Sequence, residues 1–167
     1  MTSDEVRGAG AACQRAFAFL VTEFGYRQDR LVFRSSGFEL RYVGPGLGVL
    51  VEWYPRDPLT VWLVRLVDGD FPARGVIIRH DTELHHFDLG DVEAISGRPR
   101  EAEGLELYEL PGEANANLLA ESLRTSGADF LRGDLTRLPL LDRRVKDRAR
   151  ALTIERYGAE YARELGW

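Results

Sequence analysis

Between Phe38 and Leu66 the chain runs through three apolar segments separated only by turn chemistry, a pattern that an antiparallel sheet satisfies best. Phe38, Leu40 and Tyr42 alternate with Glu39 and Arg41, the period of a strand with one wet face. Gly44-Pro45-Gly46 follows as a turn. Residues 47–54 and 59–66 are rich in Val, Leu, Trp and Tyr, and Pro55-Arg56-Asp57-Pro58 joins them as a hairpin loop. Both segments are apolar on both faces, which predicts a central position with cover on each side. Residues 31–34, 74–79 and 83–87 are further strand candidates.

Helices flank this sheet. Thr2 and Glu5 have the spacing of a capping box, and Cys13, Phe17, Leu20, Val21 and Phe24 then recur at helical spacing, with Gly25 placed to end the helix. Cys13 sits where a small core residue belongs, which accounts for it without a reactive thiol. Asp88 reads as the N-cap of a short helix through Ile95, with Asp91 at its third position. Residues 96–104 read as an exposed, mobile loop. Leu118, Leu119 and Leu123 belong to one helix that stops near Gly127, and residues 128–132 form a short turn. Asp134 caps a helix through Leu141, and Ile154, Tyr157, Tyr161 and Leu165 mark a terminal helix. The prediction is a single α+β domain over residues 1–167. In it an N-terminal helix packs on an antiparallel sheet of about four to six strands, ahead of a helical C-terminal third.

With 167 residues, 44% apolar and 29% charged, the composition is that of one globular domain. No apolar run spans a bilayer, the N-terminus lacks a basic leader pattern, and the single cysteine fits a reducing compartment. These features point to a cytoplasmic protein with no membrane association. The net charge of −5 argues against nonspecific nucleic-acid binding. Lys146 is the only lysine, so 21 of the 22 basic residues are arginine. GC-rich coding accounts for that bias, and it leaves a surface suited to planar, bidentate contacts with proteins.

Four constellations invite chemistry. The histidines cluster as His80, His85 and His86, and Asp81, Glu83 and His85 would place two carboxylates and an imidazole on one face of an extended segment, a potential divalent-metal set, but solvated polar residues account for the pattern as well. Arg143, Arg144, Lys146, Arg148 and Arg150 form a basic run able to touch phosphates, although no aromatics are interleaved to stack bases. Gly44, Gly46 and Gly48 do not make a phosphate loop, because the segment that follows is strand-like. Arg132-Gly133-Asp134 matches an adhesion tripeptide, yet a glycine ending one turn and an aspartate capping the next explain it. There is no GxSxG elbow, no P-loop and no paired-cysteine zinc motif, so no catalytic residue, metal ligand or cofactor is assigned.

Aromatic residues are the remaining feature. Trp53 and Tyr54 are adjacent and face opposite sides of one strand, and Trp62 lies on the next. Set beside Arg56 and Asp57, these residues make the hairpin the best candidate for a protein-binding surface. Phe17-Ala18-Phe19-Leu20 through Phe24-Gly25-Tyr26, residues 42–66, and Ala128-Asp129-Phe130-Leu131-Arg132-Gly133-Asp134 together cover about half of the chain. In these segments it resembles a loose group of small bacterial proteins, some of them similar to immunity proteins of toxin–immunity systems. The resemblance implies a cytoplasmic protein that binds and blocks a partner toxin. It carries no catalytic motif, and residues 68–104 have no counterpart in it. The expectation is therefore a non-catalytic protein-binding module with partner contacts at Trp53, Tyr54, Arg56, Asp57 and Trp62. The alternatives are a metal-dependent hydrolase built on His80, Asp81, Glu83 and His85, or a nucleic-acid-associated protein using the basic run.

Overall fold

A computed structural model of the chain describes residues 2–34, 37–55, 57–75, 77–98 and 112–167. The first helix, α1 (Ser3–Ala16), opens with the capping box: the Thr2 side chain accepts from the Glu5 N–H, and Glu5 accepts from the Thr2 N–H at 2.6 Å. Val6, Ala9, Gly10, Ala12 and Cys13 form its buried stripe. The helix predicted to continue to Gly25 breaks after Ala16. A turn at residues 17–18 separates it from the single-turn α2 (Phe19–Thr22), and this bend drives Phe17 and Leu20 into the core while Phe24 packs at its margin. Gly25, at φ +70, then sends the chain into the sheet.

Among the described residues five antiparallel strands follow in spatial order β1-β2-β3-β4-β5: β1 (Arg27–Phe33), β2 (Phe38–Val43), β3 (Gly48–Trp53), β4 (Thr60–Val64) and β5 (His86–Asp88). The register aligns Leu40, Val51 and Val61 in one row and Tyr42, Val49, Leu63 and Phe87 in another. These rows form the core face of the sheet. The remaining helices are α3 (Leu89–Ile95), α4 (Glu113–Ser126), α5 (Ala128–Leu131), α6 (Leu138–Tyr157) and α7 (Ala159–Glu164). α1 rests on β2 and α4, while α3 touches β4, β5, α4 and α6. Phe17, Leu20, Val92, Leu119, Leu123, Leu131 and Leu141 thereby join the strand residues in one apolar cluster. Cys13 belongs to it, fully buried, and burial pushes its thiol up to about 12.

Several boundaries differ from those the sequence predicts. Residues 74–79 form no strand among the described residues; an isolated bridge between Val67 and Asp70 closes a tight reversal instead. Asp68 (φ 52) and Gly69 (φ 83) occupy its centre, the pair of positive φ angles that a type I′ turn requires. Asp88 caps α3 as expected, accepting from the Gly90 N–H at 2.8 Å. Asp134 instead closes a local turn on Thr136, and the helix starts only at Leu138. The single terminal helix is two, because Gly158 (φ 89) interrupts it, and Ile154, Tyr157 and Tyr161 are exposed. The mobile loop expected at 96–104 lies outside the described residues from position 99 onward. No helix among the described residues is long and apolar enough to cross a membrane.

Candidate functional site

The face of the sheet turned away from α1 carries the polar residues. Glu39 and Glu52 stand directly opposite each other on β2 and β3. Like charges in that register repel, and each is compensated, Glu39 in part by Arg41 on its own strand and Glu52 by Arg74 from beyond the sheet. Glu39, 8% exposed, accepts from the Tyr54 hydroxyl at 2.6 Å and from Arg41 at 2.8 Å, with Arg34 at 3.3 Å. Burial opposes its ionisation, but the Tyr54 and Arg41 donors and the Arg41 and Arg34 charges outweigh it, so its pKa lies below the ordinary value. Tyr54 moves the other way, up to about 12, through burial, its bond to Glu39 and the charges of both glutamates. Glu52 accepts from Trp62 Nε1 at 2.9 Å and from Arg74 at 2.6 Å.

Arg74 has a second role. Its guanidinium lies 4.7 Å from the centre of the Trp62 ring, within cation–π range. It reaches this position because the reversal at Asp68-Gly69 turns the chain back over the outer face. Phe71 packs there against Gly48, where an added Cβ would come within 2.6 Å of the Phe71 ring, and Arg41 lies 5.2 Å from the centre of that ring. Leu50 and Val64, on this same face, are buried. The outer face of β3 and β4 is thus covered in part, as their apolar content predicts, and the cover extends to Glu39 on the β2 face that alternation marks as wet.

Beyond Trp62 a cavity of about 400 Å³ opens between the sheet, residues 73–75 and 77–85, and α6. His86 lines it, 6.3 Å from the Trp62 ring in an edge-on arrangement. Burial and then the charges of Arg74, His85 and Arg41 push the His86 pKa down to about 4, so it is neutral at pH 7. Arg148 reaches the far wall while bonded at 2.5 Å to Asp91, a buried carboxylate that Arg144 also approaches at 3.3 Å.

The hairpin residues part company here. Trp53 pairs with Phe38 in the core-facing row and is 2% exposed. Trp62 lies on the outer face and Tyr54 just beyond the end of β3, both half-buried, and Asp57 is exposed at the loop. Arg56 lies outside the described residues. The histidine–acid segment does not converge: His80 meets the Trp167 ring, Glu83 pairs with Arg65 and Asp81 is exposed. No group of three or more His, Cys, Asp or Glu side chains among the described residues is placed to share a metal. In the basic run, Arg144 and Arg148 hold Asp91 and Lys146 pairs with Asp142 at 3.1 Å. Arg74 is the residue that sequence reasoning missed, though the Asp-Gly turn that delivers it is a recognisable hairpin signal. Comparison with known protein families, curated proteins and solved structures finds no match to this chain.

Proposed function

We propose that this chain is a non-catalytic, cytoplasmic protein-binding module of the immunity type, which docks on a partner toxin and blocks it. The docking surface is the outer sheet face at the β3–β4 hairpin. The observation that carries this reading is the Trp62–Arg74–Glu52 cluster. The half-buried Trp62 ring is fixed by its bond to Glu52 and stacked under Arg74. An aromatic held in this way loses little rotamer freedom on association. Tryptophan and arginine are also the residue types that dominate interface hot spots. Tyr54 and Asp57 extend the surface, and Pro55 and Pro58 limit the freedom of the loop between them. The net charge of −5 favours a basic partner.

The test begins with affinity capture on the wild-type protein and on an Arg56→Ala/Asp57→Ala loop variant, followed by calorimetry with the purified partner. Arg56→Ala should weaken binding by about 2 kcal/mol or more while changing stability by no more than about 0.5 kcal/mol. One equivalent of the wild-type protein should abolish the partner's activity. Undiminished affinity of the loop variants, or a partner that stays active when saturated, would overturn the proposal.

A further inference from the structure

We propose that the cavity beside Trp62 is a binding site for a small organic anion with a planar apolar body and a single acidic group. The cavity shares Trp62 and Arg74 with the hairpin surface, but a ligand in it does not require the docking reading to hold. At about 400 Å³ the cavity falls within the roughly 300–1,000 Å³ range of small-molecule sites and exceeds what one inserted side chain fills. Trp62, Ile77, Ile78 and Leu84 line it with apolar surface, and Arg74 and Arg148 bring two cations to it. The Arg74 and Arg148 side chains are 49% and 50% exposed, and each guanidinium carries five N–H groups, more than its carboxylate contact uses.

The acidic residues on the wall are already engaged. Asp88 caps α3, and Glu83 pairs with Arg65 at 3.3 Å. The cavity therefore sets spare guanidinium N–H donors of Arg74 and Arg148 beside an apolar body, which is the complement of an aromatic carboxylate or sulfonate.

Anilinonaphthalene sulfonate, a planar apolar body with one anionic group, is a suitable probe, and N-phenylnaphthylamine is its uncharged counterpart. Fluorescence titration and calorimetry should give one site per chain for the sulfonate. Ile77 is 56% exposed, so Ile77→Glu leaves the fold intact while placing a negative charge at the cavity. It should weaken sulfonate binding about tenfold or more, with an unchanged melting temperature. Arg74→Met should weaken the sulfonate by a similar factor and leave the uncharged counterpart nearly unaffected. Tyr157, 61% exposed on the apolar stripe near the end of α6, is the competing dye site, and Tyr157→Ser should change nothing. Three results would each overturn the assignment: no saturable binding, sulfonate affinity indifferent to Ile77→Glu, or binding lost with Tyr157→Ser.

Discussion

Tyr26 lies fully buried with its ring against Gly44, where a methyl group would come within 2.1 Å of the ring. The glycine between β2 and β3 is thus a packing requirement, apart from its role in the turn. Gly44→Ala should cost about 1–3 kcal/mol through overpacking. A urea midpoint equal to the wild-type value would show that Tyr26 yields. His86 makes stability depend on pH. Its pKa is about 4 in the fold against an ordinary 6.5. Between those values the unfolded chain binds a proton that the folded chain does not. Stability should therefore be complete above about pH 6.5 and decline as pH falls toward 4. Glu39, with a folded pKa below its ordinary 4.5, adds a loss of the same sign at lower pH. In thermal melts across this range, His86→Gln should flatten the upper part of the decline and leave the acidic part. Individual residues were the least legible level of the sequence. Glu39 alternates with apolar neighbours and so reads as solvent-facing, because nothing near it announces that Tyr54, Arg41 and Arg34 will enclose it.

Elements were legible where period and cap agreed. The capping box at Thr2, the alternation of β2 and the Asp88 cap each specify a local structure through hydrogen bonds made within a few residues. The end of α1 was not, since Phe17, Leu20 and Phe24 keep a helical spacing across the turn at 17–18. That bend serves tertiary packing, which a one-dimensional period does not encode. Phe17 is fully buried in the cluster with the strand residues, so Phe17→Ala should cost roughly 3–5 kcal/mol. An unchanged denaturation midpoint would refute its place in the core. α3 and α6 are joined by a second device, the clamp of Arg144 and Arg148 on buried Asp91. Its two sides are unequal. Removing the arginines leaves a buried carboxylate uncompensated, whereas neutralising Asp91 frees two half-exposed cations that water can solvate. The Arg144→Gln/Arg148→Gln pair should therefore destabilise more than Asp91→Asn. The reverse order in chemical denaturation would count against this account.

At the scale of the whole molecule, the helix-on-sheet layering followed from alternation and apolar content, since a strand apolar on both faces has to be covered twice. What covers the second face was not foreseen. Residues 74–79 were read as more sheet, yet residues 68–75 fold back as an irregular strap that brings Phe71 and Arg74 over β2–β4. The Asp-Gly turn was visible in the sequence; the destination of Arg74 was not, because it depends on Glu52, 22 residues earlier. The candidate surface at the hairpin was likewise half legible. Strand alternation separates Trp53 from Trp62, but only the register shows which of them belongs to the core.

The opposed glutamates also have a consequence for the order of folding. When β2 and β3 first pair, Glu39 and Glu52 face each other before the strap has delivered Arg74, so two negative charges meet across a nascent ladder. Closing the loop to Arg74 comes later, since its entropy is repaid only when the ion pair forms. Refolding should accordingly speed up with added salt, which screens the acids at the barrier. Arg74→Met should act mainly on the unfolding limb of the chevron, leaving the folding limb close to wild type, as expected for a contact made after the transition state. A slowed folding limb would mean that the strap is already in place at the barrier and that the sheet assembles around it.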